Sequence, residues 1–337
     1  MKPKRPIRKL LMRGLLITVG LLFVPYGASR LLSPWRMVSL HSIADTGRPA
    51  MIPNKTLRLA SYNIAHGRGD GPSSRNWTGE SRSRRLQRLD EIAQLLRNAN
   101  ADVLVLNEVD FDTSWSRGIN QAEELATRAG YPYWVEERNL DFRFLHWTWR
   151  FGNAVLSKHP ITSAQAIDLP AYSAWETLLV GKKRGVLCEV EVGGQNIQIA
   201  GVHLCHRSEN IRAKSAAMLA RMASESAVPF FVIGDLNSTP PEFKEGSEAN
   251  DQPNAIRVLD ASERFARLPA SNPTLAEMTF HSANPKSVID WIMIPRHWQF
   301  QNYAVIPSNL SDHRLVCTDA MPDEGLGLNP VGSEKIN

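Results

Sequence analysis

Nine consecutive residues constrain this chain more than any other stretch: Val232-Ile233-Gly234-Asp235-Leu236-Asn237-Ser238-Thr239-Pro240. The apolar run from Phe230 to Ile233 is long enough for one buried strand. Gly234 and Asp235 stop it, and Asn237, Ser238, Thr239, Pro240 and Pro241 are turn formers. A carboxylate and a carboxamide, two positions apart, are thus delivered to the C-terminal edge of a strand. Side chains at i and i+2 of an extended segment point the same way, so an acid and an amide together can position a water or a metal ion. Taken alone, such residues are more often simply a strand closed by an Asp/Asn turn. Their weight comes from similar strand ends elsewhere in the chain.

Leu57 to Asn63 alternates like a strand and opens into the Gly-rich loop Ile64-Ala65-His66-Gly67-Arg68-Gly69-Asp70-Gly71-Pro72, suited to close approach of a ligand. Residues 82–97 place Leu86, Leu89, Ala93 and Leu96 at helical spacing, with a solvated Arg face. Ala101 to Leu106 is a nearly continuous apolar run, the signature of a strand covered on both faces, and it stops at Asn107-Glu108-Val109-Asp110. A helix is predicted over about 119–130. The aromatic stretch Phe142, Phe144, His146, Trp147, Trp149, Phe151 reads either as core with one exposed rim or as a substrate-facing loop. Gly152 to Ser157 is a strand, and a basic turn, 181–185, precedes another from Val186 to Val192. Gly193-Gly194 makes the hairpin to 197–202, which ends at His203-Leu204-Cys205-His206-Arg207. A helix carrying Ile211, Ser215, Met218, Leu219 and Met222 follows. Residues 241–253 read as an acidic insertion loop. Val288 to Ile294 is an apolar strand with Asp290 in its middle; a buried unpaired carboxylate costs several kcal/mol, so Asp290 needs a partner. A strand at about 300–306, the run Ser311-Asp312-His313-Arg314 and a last strand to Thr318 complete the fold.

The N-terminus is of another kind. Lys2, Lys4, Arg5, Arg8, Lys9 and Arg13 precede any acid, and these six cations exceed the formal net charge of +5. The remainder is near neutral, so bulk charge does not argue for nucleic acid. Gly14 to Ser29 is uncharged. A basic flank, a short apolar core and small residues form an export signal, either cleaved or, with Leu10 to Met12 added, retained as an anchor; the positive flank stays in the cytoplasm. The expected organisation is an export signal or signal anchor at 1–29, a linker at 30–54, one catalytic domain at 55–320 and a disordered tail at 321–337. Cys188, Cys205 and Cys317 are too few for a disulfide framework.

Asn63, Asn107-Glu108, Gly152-Asn153 with Leu156-Ser157, His203, Gly234-Asp235-x-Asn237, Ile289-Asp290-Trp291 and Ser311-Asp312-His313 occur in that order. Together they resemble the endonuclease/exonuclease/phosphatase superfamily, which includes deoxyribonucleases, abasic-site endonucleases, neutral sphingomyelinases and inositol-polyphosphate phosphatases. The resemblance covers about 55–320. It implies an α/β fold, a four-layer α/β/β/α sandwich of two mixed sheets with outer helices.

The resemblance also implies roles. Glu108 would be the principal ligand of a Mg²⁺ ion, or Mn²⁺, with Asn63 and Asp312 nearby; hard oxygen donors suit such an ion. Asp235 would orient or deprotonate the attacking water and Asn237 would hold it. Asp290 would pair with His313, which answers the burial problem of Asp290. His203 would face the phosphoryl group or the leaving oxygen, and Asn153, Arg184 and His66 would contact substrate. The activity so implied is divalent-metal-dependent phosphodiester or phosphomonoester hydrolysis by a monomer, with a lipid head group favoured by the leader and the aromatic stretch. The alternatives are an exported nuclease acting on DNA or RNA, and a catalytically silent binding module of the same fold. The membrane is a partner if the N-terminal segment is retained.

Overall fold

The computed structural model describes residues 5–43, 56–70, 79–243 and 253–323. In chain order the elements are α1 (Arg5–Leu32), β1 (Val38–Ser42), β2 (Leu57–Asn63), α2 (Arg82–Ala99), β3 (Val103–Asp110), α3 (Gln121–Ala129), β4 (Tyr133–Phe144), β5 (Trp147–Ser157), β6 (Ile161–Asp168), α4 (Ala174–Val180), β7 (Arg184–Val192), β8 (Gln195–His203), α5 (Glu209–Glu225), β9 (Phe230–Asp235), α6 (Ala255–Ala261), β10 (Phe265–Ala266), β11 (Asp290–Pro295), β12 (Trp298–Ile306) and β13 (Leu315–Pro322).

The strands form two sheets, ordered β1-β4-β5-β3-β2-β13-β12 and β10-β11-β9-β8-β7-β6. Both are mixed: β2/β3 and β8/β9 are parallel, and the other pairs are antiparallel. Strand alternation divides the apolar residues into three layers. Leu57, Leu59, Val103 and Val105 of one sheet meet Val186, Ile199, Phe231, Ile233 and Ile292 of the other. Their neighbours Ala60, Tyr62, Leu104 and Leu106 face outward onto Leu89, Ile92 and Leu96 of α2 and Leu125 of α3. On the far side, Val202, Val232 and Trp291 take up Ala216 and Leu219 of α5 and Ile256 and Leu259 of α6. The result is the expected four-layer sandwich of two mixed sheets with outer helices.

Several boundaries differ from those predicted. The segment 30–54, predicted as a linker, is structured in its first part. α1 runs to Leu32, a 3₁₀ turn spans Ser33–Arg36, and β1 adds an edge strand to β4 with Val38 opposite Glu137 and Ser42 opposite Tyr133. Pro34 suits the start of that turn, where no N–H is needed. Residues 44–54 lie outside the described residues, as do 71–72 of the Gly-rich loop, 244–252 of the insertion loop and 324–337 of the tail. Met321 and Pro322, predicted as tail, belong to β13.

The aromatic stretch is no loop, because β4 and β5 form one long hairpin through it. Asp290 opens β11 rather than sitting within it. The short helix α4 went unpredicted, although Ser173-Ala-Trp-Glu176 has the form of a capping box, and Ser173 Oγ does accept from the Glu176 N–H at 3.1 Å. The three cysteines are buried and free.

Candidate active site

Strand register assembles the site. Across the first sheet Asn63 stands opposite Asn107, Asn107 opposite Asn153, and Asn153 opposite Glu137. Across the second, His203 stands opposite Asp235, and Asp235 opposite Asp290. The two rows face each other at one end of the sandwich. Two hydrogen bonds stitch them: Asn63 Nδ2 donates to Asp235 Oδ2 at 3.1 Å, and the Asp235 N–H donates to Asn107 Oδ1 at 2.9 Å.

Glu108 reaches the site through a backbone irregularity. Strand alternation would turn it away from Asn107, toward the α2 layer. Instead the β3–β5 register shifts between Asn107 and Val109, and Glu108 takes a positive φ of 54°. Such a bulge re-aims one side chain, and the Glu108 carboxylate enters the cleft. Its neighbours are His66 Nε2 at 3.4 Å, Arg68 Nη2 at 3.5 Å and Asn63 Nδ2 at 3.4 Å. Burial works against its charge. The nearby positive groups, His66 first and then His313 and Arg68, prevail and hold the carboxyl well below the usual carboxylate range. His66 is in turn fixed by Asp110, whose Oδ1 lies 2.8 Å from Nδ1 and keeps the ring protonated against the cost of burial.

Asp235 lies at the centre. Its Oδ2 is 3.5 Å from His203 Nε2 and 3.8 Å from His313 Nε2, while its Oδ1 accepts the Asn237 N–H at 2.8 Å. Burial raises its pKa to about 7; His313 opposes that rise and Asp290 adds to it. The His313 Nδ1 lies 2.8 and 3.1 Å from the oxygens of fully buried Asp290. Burial alone would keep His313 neutral, but the Asp290 charge outweighs it and lifts the imidazolium to about 10. For His203 the balance falls the other way, and the nearby Glu108 charge does not offset burial. Burial, with Lys183 nearby, pushes it well below the ordinary histidine range. Two imidazoles of opposite protonation thus flank one carboxyl.

These groups line a cleft of about 440 Å³. Glu108, Asp235, Asn237, His203, His313, His66 and Asp312 all border it. Asp290 lies buried behind His313, and three further predicted residues stand elsewhere. Asn153 is buried beneath, donating to Glu137 Oε2 at 2.7 Å and accepting from Asn107 Nδ2 at 2.7 Å. Arg184 pairs with Asp168 at 2.9 Å, and the neighbouring Lys183 borders the cleft instead; strand alternation sends one of these two cations to each side. Asn63 presents its amide nitrogen to the two carboxylates, its oxygen being taken by the Ala65 N–H at 3.0 Å. Of the three predicted metal ligands, Glu108 and Asp312 are the ones that bring a carboxylate to the cleft. Glu108 meets its protein neighbours only at 3.4–3.5 Å, and its lowered pKa gives the anionic form a cation requires.

Sequence reasoning placed Asn107 in a motif but gave it no role, and gave none to Glu137, Tyr172, Glu176, His206 and Arg207. Of these, Tyr172, Glu176, His206 and Arg207 border the cleft, the last two a few residues after the strand-end His203.

The fold and this convergence of strand ends define a class, the α/β sandwich with an acid- and histidine-lined cleft. This chain belongs to the Endonuclease/Exonuclease/phosphatase family, whose sequence profile matches residues 60–313. Members of that family are hydrolases acting on phosphoester bonds. Solved structures of the same fold include an endonuclease/exonuclease/phosphatase from Beutenbergia cavernae (TM-score 0.57, 19% identity, 80% of this chain and 72% of that one). A mannosyl-6-phosphatase of Bacteroides thetaiotaomicron is also similar (TM-score 0.56, 16% identity, 79% and 99%). So is the human Nocturnin catalytic domain with bound sulfate (TM-score 0.54, 16% identity, 87% and 99%). No curated protein matches by sequence.

Proposed function

We propose that this chain is a divalent-metal-dependent phosphoesterase that hydrolyses a phosphodiester or phosphomonoester outside the cytoplasm by attack of an activated water. The observation that carries the reading is the setting of Asp235, a buried carboxyl within 4 Å of one neutral and one protonated histidine. A carboxyl whose pKa is near 7 takes a proton from water far better than an ordinary aspartate. Asn237, held by its own N–H on Asp235 Oδ1, helps fix the water. His313, charged by Asp290, donates to a non-bridging phosphate oxygen. His203 lies across the cleft, where it hydrogen-bonds the phosphoryl group or the leaving oxygen. Lys183 and Arg207 at the rim draw in an anionic substrate. Glu108 and Asp312 would hold a Mg²⁺ or Mn²⁺ ion, which would supply Lewis-acid stabilisation of the phosphoryl charge.

Export is part of the proposal. It is supported by the basic flank and by the apolar helix of 25 residues from Arg8 to Leu32, long and apolar enough to cross a membrane. The test is a hydrolysis panel on the purified full chain, with plasmid DNA, RNA, sphingomyelin, phosphatidylinositol and inositol phosphates, run with Mg²⁺ and with excess chelator. Hydrolysis in Mg²⁺ that chelator abolishes is the expected result. Hydrolysis that survives chelation removes the metal from the proposal, and no hydrolysis of any ester removes the activity.

A further inference from the structure

The foot of α1 is built into the wall of the cleft. Ser29 is buried and its Oγ accepts the Arg143 N–H at 2.9 Å. Arg30 Nη2 donates to the Thr177 carbonyl at 3.1 Å, Tyr26 Oη donates to the Leu178 carbonyl at 3.3 Å, and the Tyr26 ring packs 5.3 Å from Phe142. Thr177 itself borders the cleft, as do Tyr172 and Glu176. One short helix, α4, therefore has the apolar helix on one side and the catalytic cleft on the other. A helix with its side chains is roughly 10 Å across. The reaction centre thus lies close to wherever α1 leaves a bilayer.

The surface beside that foot is apolar where it meets solvent. Trp175 and Leu178 on α4, Leu31 and Leu32 at the end of α1, Trp35 in the turn after it, and Leu145 at the β4–β5 hairpin tip are all exposed, Trp35 at 87%, Leu145 at 84% and Trp175 at 73%. Large indoles among leucines at the base of a spanning helix are what the membrane–water interface accommodates. The residue after the helix supplies no slack, because Ser33 and Met37 are buried and β1 begins at Val38. A bilayer that takes up α1 must therefore meet α4 and the hairpin tip as well.

We propose that this collar seats on the outer surface of the bilayer that α1 crosses, and that the cleft beside it hydrolyses a phosphoester carried by a membrane lipid. The inference rests on the phosphoesterase reading above and adds the surface and the substrate class. The proposal gives α1 a role that a cleaved export signal could not have, since cleavage after Ser29 would take away Tyr26 and the Ser29 bond. Lys183 and Arg207 at the rim match the anionic phosphates that lie at head-group depth.

The test uses the full chain reconstituted in phosphatidylcholine vesicles containing phosphatidylglycerol and sphingomyelin, with brominated acyl chains as a fluorescence quencher. Quenching should exceed that of a Trp175→Phe variant, because Trp175 reaches the acyl region. The Trp175→Asp/Leu178→Asp variant should lose about tenfold or more in hydrolysis of the vesicle lipids, while cleavage of soluble bis-p-nitrophenyl phosphate stays the same. Equal quenching in wild type and Trp175→Phe overturns the surface, as does equal vesicle hydrolysis in the double variant. Cleavage of the soluble ester with none of any vesicle lipid overturns the substrate class but leaves the phosphoesterase reading. Cleavage of neither overturns the phosphoesterase reading itself.

Discussion

The Nδ1 of His313 lies 2.8 and 3.1 Å from the two oxygens of Asp290, and both residues are buried. Neither is well placed alone: without Asp290 the imidazole loses its charge, and without His313 the acid is buried unpaired. Asp290→Asn and His313→Ala should each reduce kcat/KM by roughly 10²-fold or more, an acid–base-sized effect. The double variant should be little worse than the poorer single one, because a unit is lost only once. Rates for the three variants check this, and losses that add in log units would show two separate roles.

Glu108 is the anionic oxygen donor that the β3 bulge turns into the cleft. Glu108→Gln keeps its shape and removes its charge, so the fold should persist while Mg²⁺ affinity falls. The check is a Mg²⁺ titration of activity alongside the Mg²⁺-induced rise in melting temperature measured without substrate. A variant with wild-type activity at limiting Mg²⁺ and an unchanged thermal shift would remove Glu108 from the metal site.

The residues that could be read from the chain are those at strand ends, where an apolar run stops at a polar side chain. Asp235, His203 and Asn63 were visible for that reason, and so was the need of Asp290 for a partner. What could not be read is lateral register. Asn107 and Glu137 join the site because β3 pairs with β5 and β5 with β4 in one particular alignment, and no local pattern states it. The aim of Glu108 depends on a one-residue bulge, which is invisible to periodicity. Arg184 and Lys183 were confused for a related reason: adjacent strand residues point to opposite sides, and the sequence does not say which side is the cleft. β1 was missed because its Val-Ser-Leu-His-Ser pattern is short and half-exposed, and only pairing with β4 makes it a strand.

Gly234 holds the turn into Asp235. Its φ is 142°, and a Cβ built there would lie 1.9 Å from the Val202 carbonyl oxygen, which is backbone and cannot swing aside. Gly234→Ala should cost more than about 3 kcal/mol, above what most single substitutions cost. In a domain of this size that corresponds to a fall of roughly 6 °C or more in melting temperature. Calorimetry of the variant measures it, and a shift within a degree or two would mean that β8 and β9 separate easily here.

Export can be measured without any substrate. A reporter fused after Arg30 should be active only in the exported form of the assay, since six cations precede the apolar run and hold that flank inside. N-terminal sequencing of the mature full-length chain then separates anchor from cleaved signal, and an intact N-terminus is expected because Tyr26, Ser29 and Arg30 are built into the domain. Reporter activity in the cytoplasm would remove the export reading.

The pH profile joins the two titrating groups of the site. Asp235 must be ionised to accept a proton, and burial lifts it to about 7, so the rate should fall as pH drops through that region. His313 must be protonated to donate, and Asp290 lifts it to about 10, so the rate should fall again as pH rises through that region. The profile of kcat/KM is therefore a bell with its top on the alkaline side of neutrality. A bound divalent cation adds positive charge, which favours the deprotonated form of each group, so both limbs should move to lower pH in the metal-loaded enzyme. The asymmetric test is Asp290→Asn. Removing that carboxylate takes away the charge that raises His313, so the alkaline limb should shift toward the ordinary histidine range. The same change removes a negative neighbour that raises Asp235, so the acid limb should also move down, but less, because burial remains. The bell should thus narrow from its alkaline side. An alkaline limb that stays in place in Asp290→Asn would assign that titration to a group other than His313.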